Sequence, residues 1–221
     1  MDGLKNNIHW QTTFLHNRWA SVWANLGIQN PLLPSLFRAI VSAYTHSGRY
    51  YHTLHHLCDL FAVLDTYRHQ LEHPLAVDLA VFYHDIIYST YRKDNEERSA
   101  EYAEQQLALL GCSPDLVTLV SELIRATKRH QALHSTNDFY YFLDADLSIL
   151  AAPSDTYKQY TKDIRQEYNL VPNWLYKQGR AKVLRIFVER QRIYYTNDMQ
   201  QRFDAMARKN MLDELVMLEA D

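Results

Sequence analysis

The amino-acid sequence predicts an all-α fold in which residues 1–221 form one domain, a bundle of about ten helices. Glycine is scarce, at 5 of 221 residues, and there are only 6 prolines. So few turn-forming residues argue against a sandwich or barrel of many short strands and against a glycine-rich α/β nucleotide fold. No segment shows a convincing period-two alternation of apolar and polar residues, which a half-buried strand would need.

Helix boundaries are predicted from the positions of glycine, proline and capping residues. Gly27 follows the first helix, Pro74 suits the first turn of the fourth, and Gly111 closes the fifth. The sixth begins with a Ser113-Pro114-Asp115 cap, and Ser154 is expected to cap the eighth. The ten predicted helices cover about residues 10–26, 34–48, 51–71, 74–88, 95–110, 113–130, 138–150, 154–168, 174–195 and 198–218.

Composition excludes several classes of partner. The chain has 23 Lys and Arg residues against 26 Asp and Glu, a net charge of −3. It therefore lacks the excess of positive charge that is typical of proteins that bind duplex nucleic acid. No apolar run approaches the roughly 20 residues that span a bilayer, and no signal peptide is visible, so no membrane partner is expected. Cys58 and Cys112 make no disulfide framework and are expected to be free thiols in a reducing cytoplasm.

Three of the 11 histidines, His52, His55 and His56, occur within five positions. On a helix with about 100° per residue, His56 lies at the edge of an apolar stripe within residues 57–64, and His52 lies one turn earlier, about 40° further round. His55 points nearly opposite the stripe, toward water. His56 is therefore best placed to meet a buried ligand, although surface histidines at a helix start are an equally good interpretation of this segment alone.

His84 and Asp85 are adjacent in a predicted helix that is apolar on nearly every face. A buried carboxylate without a partner is costly or becomes neutral, and no Lys or Arg lies three or four positions from Asp85. The compensating charge must therefore come from an arginine on another helix or from a metal ion.

Asp144 and Asp146 also lie among apolar residues, in the seventh predicted helix. Asp146 is at the flank of the face formed by Leu143, Leu147 and Leu150, and Asp144 lies about 200° away from it. We expect Asp144 to be an ordinary solvated carboxylate and Asp146 to be the candidate ligand, while the choice between them stays open.

The order His56, His84-Asp85, Asp146 resembles the ligand pattern of the HD superfamily of metal-dependent phosphohydrolases. The resemblance implies an HD-type helical fold over nearly the whole chain and a metal centre formed by His56, His84, Asp85 and Asp146. It does not indicate the substrate. The segments that look like a subgroup of predicted HD phosphohydrolases are RYYH-x-x-x-H at 49–56, FYHD-x-x-Y at 82–88, NE-x-x-SA at 95–100, FLDADLSIL at 142–150 and ARKNML at 207–212.

The first of these segments is also similar to the Tyr-His-Asn-x-x-His motif of the cyclic-nucleotide phosphodiesterases, although Thr53 replaces the asparagine. That resemblance implies that His52 donates a proton and that His56 is a metal ligand. Two histidines and two aspartates suit a divalent ion such as Mn, Co, Ni, Fe or Zn, whereas carboxylates alone would favour Mg. Such an ion would bind a phosphate oxygen and activate a water, which Asp85 or Asp146 would orient.

The sequence is therefore interpreted as a cytoplasmic phosphohydrolase that acts on a small phosphorylated molecule, with a nucleotide as one candidate. A basic segment near residue 128 is a plausible rim for the pocket, although a basic helix end that interacts with its own dipole is an equally good interpretation. His130 and His134 would share a helical face if the sixth helix continues that far, and the resemblance to two-metal HD proteins implies a role as further ligands. The expected substrate-binding residues are Arg49, Glu96, Lys128, Arg129, His130 and His134.

Two other functions stay open. One is a helical binding or regulatory protein that keeps the HD metal site without turnover. The other is a di-iron HD oxygenase, which needs both His130 and His134 as ligands. The number of metal ions and the oligomeric state, a homodimer included, also stay open.

Overall fold

Ten α-helices and no strand are found in the part of the chain that the computed structural model describes, which is the backbone of residues 2–220 and the side chains of residues 8–220. The all-α fold predicted from the sequence is confirmed. Single-turn 3₁₀ helices at Arg68–Gln70 and Ser148–Ala151 lie after the third and seventh α-helices. The α-helices are α1 (Asp2–Leu26), α2 (Leu33–Tyr44), α3 (Leu54–Thr66), α4 (Pro74–Tyr83), α5 (Asn95–Leu109), α6 (Pro114–Thr127), α7 (Asn137–Asp146), α8 (Ser154–Glu167), α9 (Asn173–Val188) and α10 (Asn197–Glu219).

One cluster of buried side chains connects these helices, from Leu15 in α1 to Leu215 in α10. Helix α4 lies at the centre of this core, because every side chain from Ala76 to Tyr83 is buried and the helix packs against α1, α3, α5, α6 and α7. Its one carboxylate in this stretch, Asp78, is paired with Arg68 through two hydrogen bonds of 2.9 and 3.0 Å. No helix among the described residues has the length and apolar character needed to cross a membrane.

Helix α4 ends at Tyr83 rather than near residue 88, and tertiary hydrogen bonds explain the difference. In a continuing helix, the N–H of Asp85 would donate to the carbonyl of Val81. Instead it donates to the Tyr44 hydroxyl at 3.2 Å, and the Val81 carbonyl accepts from His84 Nδ1 at 2.9 Å. These two bonds at the end of α4 therefore direct His84 and Asp85 toward the interior of the protein.

Other predicted helix ends also differ from the observed ones. Helix α3 begins at Leu54, so His52 precedes the helix instead of lying on it. Helix α6 ends at Thr127, and His130 adopts a left-handed backbone conformation with φ +46°, so His130 and His134 do not share a helical face. The expected Ser154 cap is wrong, because Pro153 occupies that position without a side-chain hydrogen bond. Helix α9 ends well before residue 195, and the first helix begins well before residue 10.

Candidate metal centre

Three side chains from three helices converge on one point in the core. His56 lies in the first turn of α3, His84 directly follows α4, and Asp146 is the last residue of α7. Each offers one ligand atom, and these atoms all lie within 4.8 Å of one another. Both histidines are buried. Three of the four predicted ligands are thus brought together, and Asp146 rather than Asp144 is the aspartate that joins them.

Two of the three distances between the donor atoms fit a divalent metal ion. Donors about 2.1 Å from a common ion are separated by roughly 3.0 to 3.4 Å in octahedral or tetrahedral geometry. The Nε2 atoms of His56 and His84 are 3.1 Å apart and Asp146 Oδ1 lies 3.4 Å from His56 Nε2, both within this range, whereas the 3.9 Å between Asp146 Oδ1 and His84 Nε2 is wider. Two imidazole nitrogens and a carboxylate suit Mn, Fe, Co, Ni or Zn. The group could therefore hold a metal ion, although the donor set does not select one.

The ring of His84 is oriented by the bond that also ends α4. Because the Val81 carbonyl only accepts hydrogen bonds, Nδ1 of His84 must carry the hydrogen at this 2.9 Å contact. The Nε2 atom then faces His56 and Asp146. Histidines that ligate metals commonly donate their other ring N–H to a carbonyl or carboxylate in this way.

Asp85 lies at the edge of the group rather than inside it. Its Oδ2 is 3.2 Å from His84 Nε2 and 3.8 Å from His52 Nε2. It is not among the three donors that lie within 4.8 Å of one another. The ligand and catalytic roles of Asp85 stay predictions, and its Oδ2 is the oxygen that faces the two imidazoles.

The cluster keeps ionised groups in spite of its burial. Burial alone would lower the pKa of His84, but the carboxylates of Asp85 and Asp146 raise it to about 9. Burial would raise the pKa of Asp85, yet the imidazoles of His84 and His52 hold it below its ordinary range. Burial lowers the pKa of His56. The carboxylates therefore attract a positive charge, which in the metal-free protein is a proton on His84.

A buried glutamate at the end of α8, Glu167, is a site residue that the sequence analysis missed. Its Oε1 accepts the main-chain N–H groups of Tyr50, Tyr51 and His52, each at 2.9 Å. Its Oε2 lies 2.7 Å from His52 Nδ1 and accepts the Tyr88 hydroxyl at 2.7 Å. No local signal marks Glu167, because the segment that it holds lies 115 to 117 positions away in the chain.

Glu167 orients His52 toward the centre. Because Oε2 takes the Nδ1 hydrogen, Nε2 of His52 is the ring nitrogen on the side of Asp85. Burial would lower the pKa of His52, but the charges of Asp85 and Glu167 raise it. Burial would likewise raise the pKa of Glu167, yet its bond to His52 lowers it to about 2. Glu167 and His52 thus form a charged pair. The rings of Tyr51 and Tyr88 pack against His52, with centroids 4.9 and 4.3 Å away.

Asp144 is fully buried, so the expectation of a solvated carboxylate is wrong. Its Oδ1 accepts the N–H of Tyr195 at 2.7 Å, and its Oδ2 accepts the N–H and the hydroxyl of Thr196, both at 2.8 Å. Burial raises the pKa of Asp144 to about 6. This carboxylate joins α7 to the segment before α10 and takes no part in the metal centre.

His130 and His134 are not brought together as the predicted pair. His130 Nε2 lies 3.0 Å from Asp146 Oδ2, so His130 contacts a candidate ligand from its outer side. His134 is exposed and its Nε2 lies 3.1 Å from Glu122 Oε2 instead. A second metal site made by both histidines is therefore absent from the described structure.

The remaining predicted substrate contacts lie around the centre rather than in it. Arg49 donates to the carbonyls of His52 at 3.2 Å and Ile86 at 3.1 Å. It thereby connects the segment before α3 to the segment after α4. Lys128 and Arg129 are exposed at the end of α6. Glu96 is half-buried in the first turn of α5, where it adds to burial and Glu167 in raising the pKa of Tyr168. Their substrate-binding roles stay predictions.

Comparison with known proteins identifies no relative: no protein-family model, curated protein or solved structure matches this chain. The similarity to HD phosphohydrolases therefore stays a prediction from the sequence motifs. The case for a function rests on those motifs together with the geometry of the centre.

Proposed function

We propose that this protein is a metal-dependent phosphohydrolase that cleaves a phosphoester of a small molecule, with a nucleotide as one candidate substrate. One observation carries the proposal. Two further side chains, His52 and Asp85, lie beside the three possible metal ligands. Asp85 contacts His84 and His52 contacts Asp85, but neither belongs to the group of three ligands. A structural metal site does not require such a pair, whereas hydrolysis needs one group that accepts a proton from water and another that donates a proton to the leaving oxygen.

In this proposal, each side chain has a task that follows from its contacts. His56, His84 and Asp146 would hold a divalent ion, which would supply positive charge to the transition state and lower the pKa of a bound water. Asp85, whose main chain is held by Tyr44, orients the attacking water and takes its proton. His52 donates its Nε2 proton to the leaving oxygen while Glu167 holds Nδ1.

The test is a screen of the purified protein on phosphomonoesters, phosphodiesters and nucleotides with Mn, Mg, Co, Ni, Fe and Zn. We expect metal-dependent turnover that falls by about 10²- to 10⁴-fold in Asp85→Ala. His55→Ala is the matched control, because His55 lies next to His56 but its side chain is 62% exposed, and it should keep full activity. Equal turnover by Asp85→Ala and the unaltered protein would contradict the site assignment.

The same screen separates the alternatives. A protein that loses its metal in His84→Ala but hydrolyses no phosphoester under any condition is a binding or regulatory protein. A di-iron oxygenase lacks structural support, because His134 pairs with Glu122 outside the centre. Metal analysis that gives one ion per chain excludes it.

A further inference from the structure

A concavity of about 270 Å³ adjoins the main-chain side of His130. It is lined by Gln131 and by the segment between α9 and α10, and no acidic side chain contributes to its wall. The lining residues are Gln131, Arg190, Arg192, Ile193, Tyr194 and Tyr195. Its wall therefore includes two arginines, a glutamine and two tyrosines, of which Tyr194 is fully buried.

The two arginines of this wall bond to neutral groups only. Arg190 donates to the carbonyls of Arg129 at 2.8 Å and His130 at 3.3 Å. Arg192 donates to two carbonyls of its own segment and to an amide oxygen. Asp144 acts on Arg192 electrostatically, but its oxygens are taken by the N–H groups of Tyr195 and Thr196. Among the described carboxylates, none forms an ion pair with Arg190 or Arg192.

We propose that this concavity binds a phosphate oxyanion. The fork of a guanidinium group matches the geometry of phosphate, and charge-assisted bonds to an oxyanion are stronger than those to carbonyls. Lys128 and Arg129 are exposed at the end of α6, and the Arg129 carbonyl accepts from Arg190 at 2.8 Å. This concentration of positive charge occurs in a chain whose net charge is −3.

A single residue connects the concavity to the metal centre. The His130 carbonyl accepts from Arg190 and from the Tyr195 hydroxyl, each at 3.3 Å, while its ring contacts Asp146 at 3.0 Å. These contacts hold a non-glycine residue in the left-handed region, at φ +46°. If the proposed function holds, the oxyanion has two sources: the free phosphate that hydrolysis releases, or a second phosphate group of the substrate.

The site is tested first in metal-free protein, by calorimetric titration with inorganic phosphate and with pyrophosphate at constant ionic strength. We expect saturable binding to the unaltered protein and to His84→Ala, and at least about tenfold weaker binding to Arg192→Gln. Arg202→Gln, at an exposed position of α10, is the matched control and should bind normally. If Arg192→Gln does not fold, Arg192→Lys, which keeps the charge but not the fork, should bind more weakly than the unaltered protein.

Absence of binding by both anions, or equal binding by the Arg192 variants and the unaltered protein, overturns the proposal. These titrations of the metal-free protein need no turnover, so their outcome is independent of the proposed function. In metal-loaded protein, a nucleoside diphosphate preferred over the monophosphate, with that preference lost in Arg192→Gln, identifies a second substrate phosphate. Inhibition by added phosphate that Arg192→Gln relieves identifies the free product.

Discussion

The two ring nitrogens of His84 have different roles: Nδ1 bonds to the main chain, and Nε2 is the candidate metal ligand. Its Nδ1 hydrogen is used at the Val81 carbonyl, so a metal ion can bind only at Nε2. In the metal-free protein the pKa of His84 is raised to about 9, because the carboxylates of Asp85 and Asp146 outweigh the effect of burial. Near neutral pH, a metal ion must therefore displace a proton from Nε2.

From this we predict that metal affinity rises with pH. His84 is protonated below a pH of about 9, so the apparent affinity for Mn²⁺ should increase about tenfold per pH unit from about pH 6 to 8 and level off near pH 9. Calorimetry in buffers of different ionisation enthalpy should show about one proton released per ion at pH 7. An affinity that stays constant over this range would contradict the protonation state assigned to His84.

Glu167 gives a second prediction, which concerns stability. Its pKa is lowered to about 2 through its bond to His52, against the effect of burial. A lowered pKa in the folded protein means that the stabilisation is fully present above the ordinary glutamate pKa of about 4.3 and is lost as the pH falls toward 2. Glu167→Gln should therefore reduce the free energy of unfolding by about 2 kcal/mol at pH 7, and by less as the pH falls below about 4.3.

Urea unfolding at a series of pH values measures this difference. Glu101→Gln, at an exposed position of α5, is the matched control and should change stability by less than about 0.5 kcal/mol. A difference between Glu167→Gln and the unaltered protein that does not depend on pH would show that shape, and not charge, is what Glu167 provides.

At the scale of the helix, the end of α4 depends on a hydroxyl from α2. Tyr44 is fully buried and accepts the N–H of Asp85 at 3.2 Å. Tyr44→Phe keeps the ring but leaves this N–H without its partner, so we predict a loss of about 1 to 3 kcal/mol in the free energy of unfolding. Because Asp85 is no longer held, turnover should fall as well.

Tyr50→Phe is the control for that variant, because Tyr50 is 46% exposed and should tolerate the loss of its hydroxyl. Chemical unfolding and the phosphoester assay are both measured on each variant. Normal stability and turnover in Tyr44→Phe would mean that α4 ends at Tyr83 for a reason other than this bond.

The helices themselves could be predicted from local sequence, but several of their ends could not. The Ser113 cap predicted for α6 agrees with the structure, where the Ser113 hydroxyl accepts the N–H of Leu116, because a capping signal of this kind is local. The end of α4 depends instead on Tyr44, which lies 41 positions from Asp85, and the segment before α3 is held by Glu167, which lies 115 positions from His52. Periodicity carries no information about such distant hydrogen bonds.

The same distinction applies to the site. His56, His84 and Asp146 could be identified because a polar group in an apolar segment needs a partner. Asp144 has the same local pattern, yet its partners are the main-chain groups of Tyr195 and Thr196, 51 and 52 positions away. Local pattern therefore singled out Asp146 but placed Asp144 in solvent, because it carries no information about partners so far away in the chain.

At the scale of the whole molecule, the candidate ligands come from three helices that pack around one core. α3 and α7 both contact α4. His56 lies in the first turn of α3, His84 directly follows α4, and Asp146 is the last residue of α7. A bound ion would therefore connect these helices in the folded protein only, because the unfolded chain does not hold His56, His84 and Asp146 together. Ligands that bind only the folded state stabilise it in proportion to the logarithm of their concentration.

The last prediction follows from this linkage. At a free Mn²⁺ concentration about 100 times the dissociation constant, the free energy of unfolding should rise by about 2.7 kcal/mol. For a domain of this size, that corresponds to an increase of roughly 5 to 10 °C in Tm, which EDTA should reverse. Thermal unfolding of Asp146→Ala should show no such increase, whereas His55→Ala should match the unaltered protein. If none of the divalent ions raises the Tm of the unaltered protein, the three side chains do not form a metal site in the native state.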